Sequence, residues 1–280
     1  MRGPTSRPGV GGVPRIRRGY FECRYGQLHV HNAIPPGGGF EEGTPLLLLH
    51  HAPMCGVTFH RVLGPMGRDR SVYAPDLPGC GESDPPPSPP SIADYAAAVG
   101  DFLDAMRLRQ VDVAGYQSGS LVAAELALTR PQAVRRVACV SVPMASEADR
   151  AEFRSAPWPG PPVEDGGHLL DAWRRVREGG RPQLPLDVLT RLVTQALRDG
   201  PRSAWGTQAA LDYPTRERLA QLEQPVLLVR TQDEHSSATL QARTIVPAAR
   251  FVELADVGSE AFERAPERLV QHLTDFLRPG

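Results

Sequence analysis

The feature that most constrains the fold of this chain is a strand, a tight turn and a helix in direct succession over residues 111–130. An apolar run ends at Gly115, and an Ala/Leu-rich stretch with helical spacing begins at Leu121. Small residues at Gly115 and Gly119 are typical of a turn so sharp that the strand and the helix come close together. The turn therefore places Gln117 at its strained centre.

The same alternation of strand and helix continues on the N-terminal side of this turn. Residues 91–108 have apolar positions at helical spacing and begin with Ser91, a residue type that caps helix N-termini. Earlier still, residues 20–33 predict an antiparallel hairpin with a turn at Gly26. Alternating strands and helices predict parallel strands with right-handed crossovers, and ligands bind beyond the carboxyl ends of such strands.

Three further segments each combine a predicted strand with a polar loop. Residues 45–53 run from a buried strand into His50-His51-Ala52-Pro53, and residues 71–84 continue from a strand into Asp76-Leu-Pro-Gly-Cys-Gly-Glu-Ser-Asp84. Residues 224–234 form a strand that ends at Asp233-Glu234. The order and spacing of these loops predict that they meet at one edge of the sheet.

Together, these segments and the turn resemble the α/β-hydrolase fold superfamily over roughly residues 19–280. The loop after residue 75 resembles the superfamily pattern D-x-P-G-x-G-x-S-D, which is the most specific of the matches. The resemblance implies an α/β protein with a mostly parallel, twisted sheet flanked by helices, and a helical cap inserted into it. In this scheme the turn at Gln117 is the nucleophile elbow.

The expected domain organisation follows from changes in composition along the chain. Residues 1–18 are rich in arginine, glycine and proline and predict a disordered basic arm. The hydrolase-like core is assigned to residues 19–142 and 217–280, and residues 143–216, rich in proline, arginine and tryptophan, are assigned to the cap. Three helices are predicted within the cap, at residues 168–177, 185–197 and 202–211.

Composition excludes several classes of function. The 280 residues carry a formal net charge of −1, which indicates neither a nucleic acid nor an anionic membrane as partner. The chain contains no lysine, so Schiff-base chemistry is excluded. The four cysteines lack a C-x-x-C pair, and residues 1–18 lack the apolar core of a signal peptide, which predicts a cytoplasmic protein without a disulfide or metal framework. No cofactor motif is present, and no cofactor is expected.

The resemblance implies a triad of nucleophile, histidine and acid, and two of its three positions are substituted here. Gln117 occupies the nucleophile position, and an amide cannot be deprotonated to attack an ester. Ser259 follows Gly258 where the histidine is expected, and only Glu234, beside Asp233, matches the acid. Glu234 is either a base whose pKa is raised by burial or a solvated loop carboxylate.

The backbone part of the implied catalytic machinery is independent of these substitutions. The resemblance assigns the oxyanion hole to the backbone N–H groups of Ala52 and Ser118, with the Ser118 side chain directed away from the pocket. A pocket that stabilises negative charge on oxygen without forming an acyl intermediate suits enolate chemistry. Gln117 is expected to donate a hydrogen bond to the substrate there.

Several other side chains are candidates for the site. His51 replaces the glycine expected in the His/Pro loop and is either a pocket residue or part of the packing. Cys55 lies further along the same loop, and His235 is a possible alternative base. Trp173 and Trp205 are candidates for the lining of the substrate pocket, although aromatic residues at helical spacing often belong to a core.

Three functions are compatible with these residues. The first is a cofactor-independent, non-hydrolytic enzyme that acts next to a carbonyl by epimerisation, isomerisation, decarboxylation or elimination, on a small molecule or short peptide. The second is a hydrolase of a small ester or amide whose nucleophile is Ser118 or Cys55, with His51 or His235 as base. The third is an inactive member of the superfamily that binds a ligand or a partner.

Overall fold

A computed structural model describes residues 14–35, 42–155, 160, 162–178 and 184–278. Within these residues, the chain builds one eight-stranded sheet in the spatial order β1-β2-β4-β3-β5-β6-β7-β8. The strands are β1 (Arg17–Cys23), β2 (Gly26–Ala33), β3 (Leu46–Leu49), β4 (Val72–Pro75), β5 (Val111–Tyr116), β6 (Val134–Val140), β7 (Val226–Thr231) and β8 (Arg250–Leu254).

The sheet is antiparallel at one edge and parallel over the rest. Strand β2 pairs antiparallel with both β1 and β4, whereas every pairing from β4 to β8 is parallel. The predicted hairpin is present, with Cys23 opposite Gly26 at its turn. The predicted α/β-hydrolase architecture is therefore confirmed, and the loops that follow β3, β5 and β7 lie at the same edge of the sheet.

Helices cover both faces of the sheet, which explains its continuous apolar strands. In β3, Leu47 and Leu49 face one buried cluster, which includes residues of α2 and α3, while Leu46 and Leu48 face a second, which includes residues of α1 and α11. The core helices are α1 (His60–Met66), α2 (Ile92–Ala105), α3 (Ser118–Thr129), α9 (Ser236–Ile245), α10 (Ala261–Arg264) and α11 (Pro266–Leu277).

The described part of the segment between β6 and β7 contains five α-helices. The three helices predicted at residues 168–177, 185–197 and 202–211 are present, and α4 and α8 are additional. The apolar pattern did not indicate α4, because none of its residues is buried. The helices of this segment are α4 (Glu147–Ser155), α5 (Gly167–Glu178), α6 (Leu186–Arg198), α7 (Trp205–Asp212) and α8 (Thr215–Leu219).

The sheet begins slightly earlier than the sequence pattern suggested. Strand β1 starts at Arg17, two residues before the expected boundary at residue 19, because Arg17 pairs with Asn32 across the hairpin. Residues 1–13 of the predicted basic arm lie outside the described part of the chain. Among the described residues, no helix has the length and apolar composition of a membrane span.

Candidate active site

The turn between β5 and α3 has the backbone geometry of a nucleophile elbow. Gln117 has φ 47° and ψ −119°, a strained conformation for a residue with a side chain. A Cβ atom on Gly115 would overlap the backbone of Gly119, and one on Gly119 would overlap the backbone of Leu49. The two glycines therefore permit the close approach of strand and helix, and the position of Gln117 is fixed independently of its side chain.

The side chain of Gln117 is buried and donates to two carboxylates. Its Nε2 lies 3.3 Å from Oε1 of Glu234 and 3.4 Å from Oδ2 of Asp233. Since ionised carboxylates only accept hydrogen bonds, the amide hydrogens of Gln117 face Asp233 and Glu234, and its carbonyl oxygen remains as an acceptor. The expectation that Gln117 donates to a substrate is not met in this arrangement, because both carboxylates already engage that nitrogen.

Ser259 completes this network. Its hydroxyl donates to Oε2 of Glu234 over 3.1 Å, so Glu234 receives one donor on each carboxylate oxygen. The residues predicted at the nucleophile, acid and histidine positions are thus connected through Glu234. Glu234 is exposed rather than buried, so the burial expected to raise its pKa is not present.

A side chain of the protein contacts one of the two backbone N–H groups predicted for the oxyanion hole. The backbone N–H of Ala52 donates to the Ser118 hydroxyl oxygen over 2.9 Å. The Ser118 side chain thus turns toward the His/Pro loop, contrary to the expectation that it points away, because Ala52 lies within reach of its hydroxyl. The Ser118 hydroxyl can still donate its own hydrogen to a ligand. In this arrangement it takes the place of the Ala52 N–H, one of the two expected backbone donors.

A cavity of about 510 Å³ opens beside these groups. Its size lies within the range of small-molecule sites. Among the predicted site residues, those that line it come from the loops after β3, β5 and β7. They are Ala52, Gln117, Ser118, Glu234 and His235.

Three predicted pocket residues are not among those that line this cavity. Cys55 is buried near α6, with its Sγ 3.8 Å from Oε1 of Gln195, and burial raises the pKa of its thiol to about 12. Trp173 packs on a small apolar cluster between α5 and α6. Trp205 is the first residue of α7 and is only partly buried. For Trp173 and Trp205, helical spacing did not distinguish packing in a core from lining of the pocket.

His51 lies in the core beneath the cavity rather than in its lining. It is 1 % exposed, packs edge-on against the ring of Tyr116, and has Nε2 3.5 Å from Oε1 of Glu260. The backbone N–H of Glu260 donates to the Tyr116 hydroxyl over 2.8 Å. Its burial and its absence from the cavity lining agree with the packing interpretation of His51.

The neighbouring His50 braces the loop. Its Nε2 accepts a hydrogen bond from the backbone N–H of Leu77, and its Nδ1 lies 3.0 Å from the His51 carbonyl oxygen. The ring is therefore neutral, with the proton on Nδ1. Complete burial lowers the pKa of His50 to about 4, against the smaller opposing effects of its hydrogen bond to His51 and of Asp76.

The described residues also include a buried group of metal-ligating type, formed by His29, His31 and Asp76. His29 Nδ1 lies 2.8 Å from Asp76, whose other oxygen accepts from the backbone N–H of Gly56 over 2.7 Å. Burial alone would raise the pKa of Asp76, but hydrogen bonds from His29 and His31 outweigh it and hold the pKa well below its usual range. These hydrogen bonds explain the cluster as a brace for the loop after β4.

Two residues of the site region were missed by sequence reasoning. Glu260 has a left-handed backbone, φ 61°, and faces His51, and no motif indicated this. Arg175 of α5 lines the cavity, and only the direction of the cap helix reveals it. The adjacency of Asp233 to Glu234 was visible in the sequence, but its contact with Gln117 was not.

Comparison with known proteins agrees with this architecture. A family model described as "alpha/beta hydrolase fold" matches residues 44–266. An uncharacterized protein of Mycobacterium tuberculosis is 32 % identical over 117 residues, which are 42 % of this chain and 34 % of that protein. The proline iminopeptidase of Heyndrickxia coagulans is 26 % identical over 147 residues, which are 50 % of this chain and 49 % of the enzyme. The matches therefore span about half or less of these relatives.

Among solved structures, the enol-lactonase of Burkholderia xenovorans LB400 superposes with a TM-score of 0.76. The superposition covers 92 % of this chain and 99 % of the lactonase, at 16 % sequence identity. Similarity at this level concerns the fold alone.

Proposed function

Since the chain belongs to the α/β-hydrolase fold family, we propose that it is a cofactor-independent enzyme that transfers a proton next to a substrate carbonyl instead of hydrolysing an ester. The observation that carries this proposal is the network in which Gln117 and Ser259 both donate to Glu234 at the cavity. This network retains a carboxylate and replaces both the nucleophile and the histidine.

The network opposes hydrolysis through an acyl intermediate. The amide of Gln117 has no nucleophilic form at neutral pH, and the hydroxyl of Ser259 cannot act as the general base that a triad requires. What remains beside the cavity is a carboxylate that can accept a proton and that accepts hydrogen bonds from Gln117 and Ser259.

Glu234 is the proposed base. Hydrogen bonds to both oxygens orient its carboxylate, and its exposure at the cavity leaves it accessible to a substrate. A substrate that fills the cavity removes water from Glu234, and loss of water raises the pKa of a carboxylate toward a value useful for proton transfer. Glu234 then accepts a proton from the carbon beside the carbonyl, and the electron pair of that C–H bond moves into an enolate.

The enolate oxygen is stabilised at the start of α3. The hydroxyl of Ser118 accepts from Ala52 and donates its own hydrogen to the substrate oxygen, and a donor that is itself hydrogen bonded is strengthened. Return of the proton to the opposite face of the same carbon gives an epimer, and its return to another carbon gives an isomer.

A relocated nucleophile is less well supported. The Cys55 thiol is held protonated by burial and lies outside the cavity lining. Ser118 does line the cavity, but its hydroxyl oxygen contacts the backbone of Ala52 rather than a histidine. The observation that favours a ligand-binding role is the exposure of Glu234, since solvated carboxylates are weak bases.

Deuterium exchange tests the proposal. The protein is incubated in D₂O with ketones, thioesters and N-acyl amino acids, and exchange beside the carbonyl is followed by NMR. We expect exchange that is lost in Glu234→Gln and retained in Glu253→Gln, a control at an exposed carboxylate paired with Arg230. If Glu234→Gln retains deuterium exchange, loss of exchange in His235→Gln would identify His235 as the base.

Two results would overturn the proposal. A covalent fluorophosphonate adduct at Ser118 together with ester turnover would establish a hydrolase. Saturable binding of these ligands without any exchange would establish a binding protein.

A further inference from the structure

We propose that the cavity takes a substrate with a carboxylate group, and that Arg175 of the cap binds this carboxylate. The inference rests on the proposed function, since it names the substrate class of the same site. Its evidence is the distribution of charge around the cavity.

The acidic side chains that line the cavity already have donors. Both oxygens of Glu234 accept hydrogen bonds, from Gln117 and Ser259. Asp149 accepts from the backbone N–H and the hydroxyl of Ser146, each over 2.7 Å, and so caps the first turn of α4. These donors are neutral groups of the protein, and among the described residues neither carboxylate forms an ion pair with Arg175.

Arg175 differs from its neighbour in this respect. Both side chains are exposed on α5, but Arg174 pairs with Asp171 over 3.6 Å, whereas none of the ion pairs found among the described residues involves Arg175. Only Arg175 of the two lines the cavity. The planar guanidinium group matches the two oxygens of a carboxylate, so Arg175 offers a ready site for one.

The remaining walls are mostly apolar, which indicates the rest of the ligand. An apolar body packed on these walls would connect a carbonyl near Ser118 to a carboxylate near Arg175. The apolar side chains of the lining include Pro143, Met144, Phe153, Val176, Leu192 and Leu211.

The charges also fix the direction of binding. Glu234 belongs to the loop after β7 in the core, whereas Arg175 belongs to a helix of the cap. A ligand carboxylate placed beside Glu234 would meet a like charge, and the same group beside Arg175 would meet an opposite one. The reactive carbonyl of an anionic substrate is thereby directed toward the core.

The test compares β-benzoylpropionate, which joins a phenyl ring, a ketone and a carboxylate, with its uncharged primary amide. Calorimetry at low salt measures the affinity of each ligand for the full chain and for the variants Arg175→Gln and Arg174→Gln. We expect the acid to bind about tenfold more tightly than the amide, with a preference that weakens as salt is added. Arg175→Gln removes this preference and Arg174→Gln keeps it.

Failure of the acid to bind, equal affinities for acid and amide, or a preference that survives Arg175→Gln would each overturn the inference. Deuterium exchange beside the ketone is read in the same samples and reports separately on the proposed function. Binding that depends on Arg175 without exchange would refute the proton-transfer function and support the carboxylate site.

Discussion

The side-chain nitrogen of Gln117 lies 3.3 Å from a carboxylate oxygen of Glu234, so the residues predicted at the nucleophile and acid positions touch directly. In a triad, a histidine separates these two groups. Ser259, which is predicted at the histidine position, donates to the other oxygen of Glu234.

This relationship predicts that two substitutions restore an esterase. Gln117→Ser alone is expected to stay inactive, because the hydroxyl would have no histidine to accept its proton. Gln117→Ser combined with Ser259→His places an imidazole between the new serine and Glu234. We expect the double variant to hydrolyse p-nitrophenyl acetate and to react with a fluorophosphonate at residue 117.

The control for this experiment is the double variant carrying Glu234→Gln as well, in which ester turnover should fall because the histidine loses its carboxylate. Turnover by Gln117→Ser alone would show that another base serves this position. A folded double variant without turnover or labelling would show that the three positions do not superpose on a working triad.

Removal of the Ser118 hydroxyl should expose the Ala52 amide. In Ser118→Ala the backbone N–H of Ala52 loses its acceptor, and water at the cavity can replace it, so global stability should change by less than about 1 kcal/mol. Hydrogen exchange of the Ala52 amide should become faster, and Ser118→Thr should restore protection. Unchanged exchange in Ser118→Ala would contradict the hydrogen bond.

A methyl group at Gly119 should be poorly tolerated. The Cβ atom of Gly119→Ala would overlap the backbone carbonyl of Leu49, which cannot move aside as a flexible side chain would. We expect a loss of about 3 kcal/mol in the free energy of unfolding, measured with urea. Gly43→Ala is the matched control, because its Cβ would lie 3.5 Å from its nearest neighbours and should cost little.

Stability should fall on mild acidification because of His50. The pKa of this histidine is about 4 in the folded chain, below its ordinary value of 6.5, so the unfolded chain binds a proton more readily. The contribution of neutral His50 is therefore complete above about pH 6.5 and declines as the pH falls toward 4. Between pH 7.5 and pH 5 we expect His50 to contribute a loss of about 2 kcal/mol to the free energy of unfolding, measured by urea titrations.

His50→Gln should reduce this pH dependence between pH 7.5 and 5, even if it lowers stability at every pH. Asp76 does not interfere, since its pKa is lowered, and its contribution is lost only at more acidic pH. If the stability of His50→Gln depends on pH as strongly as that of the original protein, another group causes the effect. His60 is a candidate, since burial also lowers its pKa to about 4.

The fold was predictable because short-range patterns carry it. The apolar run Leu46–Leu49 is typical of a strand that is buried on both faces. Gly115 and Gly119 indicate the close contact of β5 with α3. The contact of Gln117 and Ser259 with Glu234 agrees with the expectation that loops at the carboxyl ends of parallel strands meet at one edge.

The details of the site were not predictable for a physical reason. Helical spacing shows which residues share a face of a helix, but the direction in which a cap helix turns that face depends on contacts distant in sequence. Trp173 therefore packs between cap helices, whereas Arg175, two positions later, lines the cavity. The hydrogen bond from the Ala52 N–H to the Ser118 hydroxyl likewise depends on a contact between two segments that are distant in sequence.

The strained backbone at Gln117 is held by the glycines on either side and by its own N–H, which donates to the carbonyl of Val140. None of these contacts uses the side chain. The backbone of this turn is therefore held by residues other than the one that points into the site. The side chain at residue 117 can change without loss of the contacts that hold the turn.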